Sequence, residues 1–161
     1  MVEKDVESRL GQVEDRQAIE NLVASYAYFI DVGWHGAGAD PAQVAQLFSD
    51  DAELISDDQG AVTGRSAILA WARGIATMEG LLVSHTLATP QIEIRGDEAE
   101  GRWHGIVGMR IGDAAPAWLV GNYDYRFVRT ADGWRISRQH FRTAFQAPFD
   151  GSEWVPGPLP S

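Results

Sequence analysis

Between residues 14 and 31, apolar side chains recur at Ile19, Leu22, Val23, Tyr26 and Ile30. That spacing of three and four predicts a helix with one buried stripe. Gly33 supplies its stop. Asp40-Pro41 then reads as an N-cap followed by a proline at the first helical position, opening a short helix that turns Val44, Leu47 and Phe48 inward. Ala52 to Ser56 reads as a short strand, 57–60 as a turn and 61–63 as its return. Ser66 is placed to cap a third helix with Ile68, Trp71, Ala72 and Ile75 on one side.

After Gly80 the periodicity changes. Four alternating stretches follow, at 81–95, 98–112, 115–130 and 133–145, separated by short polar connections. Gly112-Asp113-Ala114 and Ala131-Asp132-Gly133 have the look of tight hairpin turns. Pro90 marks a bulge or an edge, because proline cannot donate to a ladder. Helices first and a strand meander afterwards is the α+β pattern, with three N-terminal helices packed on one face of a curved, mostly antiparallel sheet. Residues 1–146 form one domain with no internal repeat. From Ala147 the chain turns proline-rich (Pro148, Pro156, Pro158, Pro160) and reads as a tail over 147–161 that also carries Trp154.

Composition narrows the function classes. The 161 residues are 45% hydrophobic, enough for one domain with its own core. A formal charge of −10 argues against nucleic acid, where affinity comes from Lys and Arg on phosphates, and against anionic membranes. No apolar run is long enough to cross a bilayer. The absence of cysteine excludes disulfides and thiolate chemistry. With a polar, acidic N-terminus unlike a signal peptide, the expectation is a cytoplasmic protein.

Strand alternation assigns faces in the second long strand. Gly101, Trp103, Gly105, Val107 and Met109 point one way, large and small in turn, as where a sheet curves round a cavity. Arg102, His104, Ile106, Gly108 and Arg110 point to the other, solvent or subunit, side. His85 opens the first long strand. It is either a core histidine satisfied by a backbone carbonyl or an imidazole waiting for a partner. Asp31 could be that partner. A carboxylate in the last turn of a helix opposes the helix dipole at a cost of roughly 0.3–1 kcal/mol. Either Asp31 is a solvated turn residue, or it is kept there to orient His85. An aspartate bonded to an imidazole fixes its tautomer and raises the basicity of the free nitrogen, making a device for removing protons.

Tyr26 lies on the buried stripe, and its hydroxyl needs a partner or an internal cavity. On an ideal helix it stands about 140° from Asp31, so the two share a pocket only from different walls. On the last strand, His140 and Arg142 share parity with Trp134, Ile136 and Arg138; an inward Arg142 would clamp an anion or carbonyl. Tyr123 and Tyr125 share a face with Phe127 and read first as core. Gly33-Trp34-His35-Gly36-Ala37-Gly38 follows a helix rather than a strand, so it is no dinucleotide fingerprint. The histidines at 35, 85, 104 and 140 lack metal-ligand spacing, and no nucleophile elbow is present. Neither a cofactor nor a metal is expected.

The segments Asp15-Arg16-Gln17-Ala18-Ile19 through Tyr26 and Asp31, Leu47-Phe48-Ser49-Asp50-Asp51-Ala52, Gly64-Arg65-Ser66-Ala67-Ile68, Ser84-His85-Thr86, Gly121-Asn122-Tyr123-Asp124-Tyr125 and Asp132-Gly133-Trp134-Arg135-Ile136 together carry a resemblance. From about Asp15 to Phe145 the chain resembles the SnoaL-like group of the nuclear-transport-factor-2-like superfamily. The resemblance implies a conical α+β barrel, open at one end, around an apolar pocket. Scytalone dehydratase, bile-acid 7α-dehydratase and hexachlorocyclohexane dehydrochlorinase within that superfamily use an Asp–His base for eliminations, and Asp31 and His85 fall on those positions. Tyr26 falls on a site position too, and Arg142 lies one residue from the bile-acid enzyme's arginine. The dehydratases' extra acid or histidine on the second long strand is replaced here by Val107 and Met109.

The implied function is a cofactor-independent lyase, of dehydratase or dehydrohalogenase type, acting on a small hydrophobic cyclic molecule. Asp31, His85, Tyr26 and Arg142 would be the catalytic residues; Trp103, Val107, Met109, Tyr123 and Tyr125 would shape the pocket. An isomerase or polyketide-type cyclase with the same base, and a non-catalytic small-molecule-binding module, are the alternatives. Homo-oligomerisation as a dimer or trimer is expected through the face carrying Arg102, His104, Ile106 and Arg110, with the tail over its own or a neighbour's pocket.

Overall fold

The structure, a computed structural model, describes residues 2–33 and 38–148. Its helices are α1 (Val2–Ile30), α2 (Pro41–Gln46) and α3 (Arg65–Ala76). Its strands are β1 (Phe48–Ser56), β2 (Gly60–Thr63), β3 (Leu81–Arg95), β4 (Glu98–Ile111), β5 (Ala117–Thr130) and β6 (Gly133–Pro148). The strands form a single sheet in the order β2-β1-β6-β5-β4-β3. Every neighbouring pair is antiparallel except β1 with β6. The sheet is curved and unclosed, with β2 and β3 at its edges, and the helices pack into its concavity, as the α+β reading expects.

The stripe predicted on α1 is the one that is buried. Ile19, Val23, Tyr26 and Ile30 are each at most 3% exposed. Burying a side chain of this size is worth about 1.5–3 kcal/mol relative to leaving it in water. The helix also runs twelve residues further toward the N-terminus than the 14–31 reading, to Val2. Over that extension Val6, Leu10 and Val13 stay exposed, so no buried stripe marked it. Asp15 ties α1 to the far end of the sheet: it accepts from Trp134 Nε1 at 3.0 Å and pairs with Arg129, which also stacks over the Trp134 ring.

Several local expectations are corrected. α2 stops at Gln46, so Leu47 is its C-cap and Phe48 enters the core from the first position of β1. Ser66 does not cap α3; the helix starts one residue earlier, and Gly64, at φ 89°, takes the N-cap position with its carbonyl accepting from Ala67 and Ile68. Residues 112–116 form a five-residue connection rather than a tight hairpin, whereas Gly96-Asp97 makes the two-residue turn. Pro90 sits on edge strand β3 within a register shift between Ala88 and Gln91, where Thr89 adopts φ 52°. β6 continues through Ala147 and Pro148, two residues into the segment read as a tail. The rest of that segment, and Trp34 to Ala37, lie outside the described residues.

Candidate active site

The site begins where α1 ends. Asp31 still donates its N–H to the Ala27 carbonyl, at 3.1 Å, and Val32 then leaves the helix as a short piece of strand. Val32 pairs antiparallel with Val83 through two backbone hydrogen bonds of 3.1 and 3.0 Å. Because β3 is an edge strand, its outward N–H groups need partners from outside the sheet. The His85 N–H finds the Asp31 carboxylate, at 3.0 and 3.2 Å to its two oxygens. The same carboxylate receives His85 Nδ1 at 2.6 Å, a short, charge-assisted contact. Both side chains are nearly buried, at 8% and 11% exposure.

With the carboxylate as acceptor, Nδ1 carries the proton and Nε2 keeps the lone pair. Nε2 makes no hydrogen bond with the described residues, and His85 lines an internal cavity of about 190 Å³. Tyr26 and Tyr123 pack edge-on against the imidazole, with centroids 6.1 and 6.3 Å away. The remaining wall is largely apolar: Val107 and Met109 from β4, Leu119 from β5, Phe141 from β6, and Trp71 and Ile75 from α3.

The phenols are held in their neutral form. Burial pushes Tyr26 up to about 12, against a smaller opposing effect of the Gln139 amide at its hydroxyl; the nearby Asp31 charge raises it further. Burial, reinforced by Tyr26 and Asp31, raises Tyr123 well above the ordinary phenol value. A neutral phenol in a largely apolar cavity is a hydrogen-bond donor for an oxygen that gains negative charge. Among the described cavity-lining residues only Tyr26, Tyr123 and His85 carry titratable protons. The arrangement can therefore accept a proton at Nε2 and donate a hydrogen bond from a phenol, with apolar contacts for the body of a ligand.

The nine residues singled out from the sequence divide between three places. Asp31, His85, Tyr26, Val107, Met109 and Tyr123 are brought together here. Trp103 and Tyr125 point inward but do not reach the cavity. They pack on each other at 5.2 Å, and Trp103 also on Phe127 at 6.2 Å, in the core beyond it. Arg142 is on the outer face, where its Nε donates to Asp124 at 2.7 Å beside a matching bond from Arg102. The cause is a bulge. Phe127 pairs with Ile136 and Arg126 with Arg138, so one extra residue, Ser137, inverts the alternation of β6. Arg138, His140 and Arg142 consequently turn outward; His140 bonds Asp57 at 2.8 Å. Gln139 and Phe141 turn inward, and both were missed. The one trace of it in the sequence is the polar run Ser137-Arg138-Gln139-His140 inside an alternating strand, which does not say which residue is the extra one. His104 lies on the outer face, bonded to Asn122 at 2.9 Å.

Residues 11–140 match the SnoaL-like domain family. The chain belongs to that family. No curated protein sequence matches this SnoaL-like chain. Among solved structures it is similar to a candidate scytalone dehydratase from Novosphingobium aromaticivorans, with 23% identity and a TM-score of 0.73 over 93% of this chain and 97% of that one. It is similar also to hexachlorocyclohexane dehydrochlorinase type 3 from Novosphingobium barchaimii, at 18% identity and TM-score 0.78, covering 92% of this chain and 99% of the other. A nuclear-transport-factor-2-like protein with a cystatin-like fold, from Novosphingobium aromaticivorans, shares 27% identity at TM-score 0.69, over 92% and 91% of the two chains. At these identities the likeness is one of fold. Among the described residues no helix of this SnoaL-like chain is long and apolar enough to cross a membrane.

Proposed function

We propose that this protein is a cofactor-independent lyase, of dehydratase or dehydrohalogenase type, acting on a small, largely hydrophobic cyclic molecule. The observation that carries the reading is the 2.6 Å contact between Asp31 and His85 Nδ1, with Nε2 left free on the cavity. His85 Nε2 removes a proton from carbon, at a position acidified by a neighbouring carbonyl. Asp31 holds the ring in the correct tautomer and stabilises the imidazolium that forms. Tyr26 donates to the oxygen or leaving group on which negative charge develops. The names of the dehydratase and dehydrochlorinase neighbours agree with this chemistry. Arg142 has no part in it, because it faces the other side of the sheet.

A second reading keeps the base and drops the leaving group: an isomerase or cyclase. It is favoured by Val107 and Met109, which present no acid to protonate a departing hydroxide. One experiment covers both. Small cyclic alcohols, halides and ketones are incubated with the native protein and with His85→Ala, and products are followed by mass. Release of water or halide identifies elimination; conserved mass identifies isomerisation. His85→Ala loses about 10²–10⁴-fold in rate while remaining folded. Turnover unchanged in that variant refutes the mechanism.

A further inference from the structure

Beside Ser56, Gln59 and Tyr123, the cavity wall carries a buried amide that proton abstraction leaves unused. Gln139, on β6, is 2% exposed and shares the cavity wall with Tyr26 and His85. Its amide meets the Tyr26 hydroxyl in a hydrogen bond of the sense that lowers the phenol's pKa, N–H toward oxygen. Its Oε1 has no hydrogen-bond partner. A buried amide oxygen left unsatisfied destabilises the folded protein, and that cost disappears when a donor arrives. Tyr125, its cross-strand neighbour, has an unpartnered hydroxyl on the same inner face, but Tyr125 does not line the cavity. A ligand therefore meets Gln139.

The chemistry of the donor follows from what surrounds the amide. Leu54, Leu119, Val107 and Phe141 supply apolar wall, and among the described residues no carboxylate lines the cavity, since Asp31 lies behind His85. An ammonium would be stranded there without a counter-charge. A neutral hydroxyl fits. Because Gln139 and Tyr26 are adjacent, that hydroxyl sits close to the oxygen that Tyr26 meets.

We infer that Gln139 is the specificity-determining residue of this cavity, its Oε1 accepting a hydrogen bond from a substrate hydroxyl beside the oxygen bound by Tyr26, so that the substrates are small cyclic hydroxy-carbonyl compounds and not unsubstituted ketones or halocarbons. The inference rests on the reading of this cavity as the substrate site. A site built to pair a hydroxyl discriminates strongly against an analogue lacking it, because its own polar group is then left unpaired.

The test is binding, independent of turnover. 2-Hydroxycyclohexanone and 2-methylcyclohexanone differ by a hydroxyl for methyl exchange of similar size, and both are titrated into the protein by NMR. The native protein binds the hydroxy ketone about tenfold more tightly. Gln139→Leu loses the preference or reverses it. Gln139→Met, longer and more adaptable, is the second variant, and thermal melting establishes that each is folded. Equal affinities for the native protein, no saturable shift from either ketone, or a preference that survives in both folded variants overturns the assignment. If proton abstraction is wrong, the preference remains without turnover. If Gln139 is wrong, turnover remains without the preference.

Discussion

Replacing Asp31 by asparagine changes one atom and tests the whole arrangement. In the native protein Oδ1 accepts both the His85 backbone N–H, at 3.0 Å, and Nδ1–H, at 2.6 Å. An asparagine has one acceptor oxygen. Placed at Oδ1, that oxygen keeps both bonds but only as a neutral acceptor; placed at Oδ2, 3.2 Å from the backbone N–H, it leaves the NH₂ facing Nδ1, which can then only donate and moves the imidazole proton to Nε2. The cavity then sees an N–H in place of a lone pair. Hydrogen bonds to a charged group contribute about 1.5–3 kcal/mol and neutral ones about 1. Removing a carboxylate from the C-terminal end of α1 returns roughly 0.3–1 kcal/mol of dipole repulsion. The net loss of stability is therefore small, about 0.5–1.5 kcal/mol from these terms. The loss of rate is large. A wrong tautomer in a comparable carboxylate–imidazole base costs about 10⁴ in kcat, equivalent to about 5.5 kcal/mol. Urea denaturation gives the first quantity, turnover the second, and ¹⁵N NMR of the ring reports the tautomer directly. An Asp31→Asn protein that keeps full turnover, whichever ring nitrogen holds the proton, would refute the reasoning.

Further expectations concern the rest of the molecule. Tyr26 is raised from 10.0 to about 12, so its folded state holds a proton that the unfolded chain releases between those values. Stability is complete below pH 10.0 and falls as pH rises toward 12, by about 3 kcal/mol from this group alone; urea melts across that window show a shallower fall in Tyr26→Phe. Tyr125→Phe removes a buried hydroxyl without a partner and raises stability by about 1 kcal/mol, and a lower Tm would contradict the packing described. Gly121→Ala places a Cβ 2.0 Å from the Arg142 carbonyl oxygen and costs at least about 1–3 kcal/mol. Gly11→Ala, with open space round it in α1, gains about 0.5–1 kcal/mol. Arg142→Ala leaves turnover within about twofold, since the guanidinium pairs with Asp124 on the far side of the sheet; a loss of even tenfold would return it to the site.

The helical stripe on α1 and the alternation through β4 could be read from the sequence because each is a local repeat imposed by a buried face. The placement of Asp31 beside His85 was legible for a different reason: a carboxylate at the unfavourable end of a helix demands an explanation. Gln139 was not legible, since its direction depends on a single inserted residue, Ser137, that the pairing of β5 with β6 absorbs. Arg142 was assigned to the wrong face for the same reason. Trp103 and Tyr125 were placed on the correct side but at the wrong depth. Alternation reports which face a residue occupies; how far along the cone the empty space ends is decided by side chains from α3 and β1, distant in sequence.

The junction between α1 and β3 has a bearing on colloidal behaviour. An edge strand with free N–H and C=O groups is a template for a foreign strand. Here Val32 occupies the polar groups of Val83, and the Asp31 carboxylate occupies the N–H of His85. Farther along, Pro90 and the Glu93–Arg95 ion pair interrupt and charge the same edge. The group that orients the base is thus also the stopper of the sheet, so a variant lacking Asp31 exposes an adhesive edge at the moment it loses its chemistry. On the proposed function, loss of activity and self-association would then arise from one substitution.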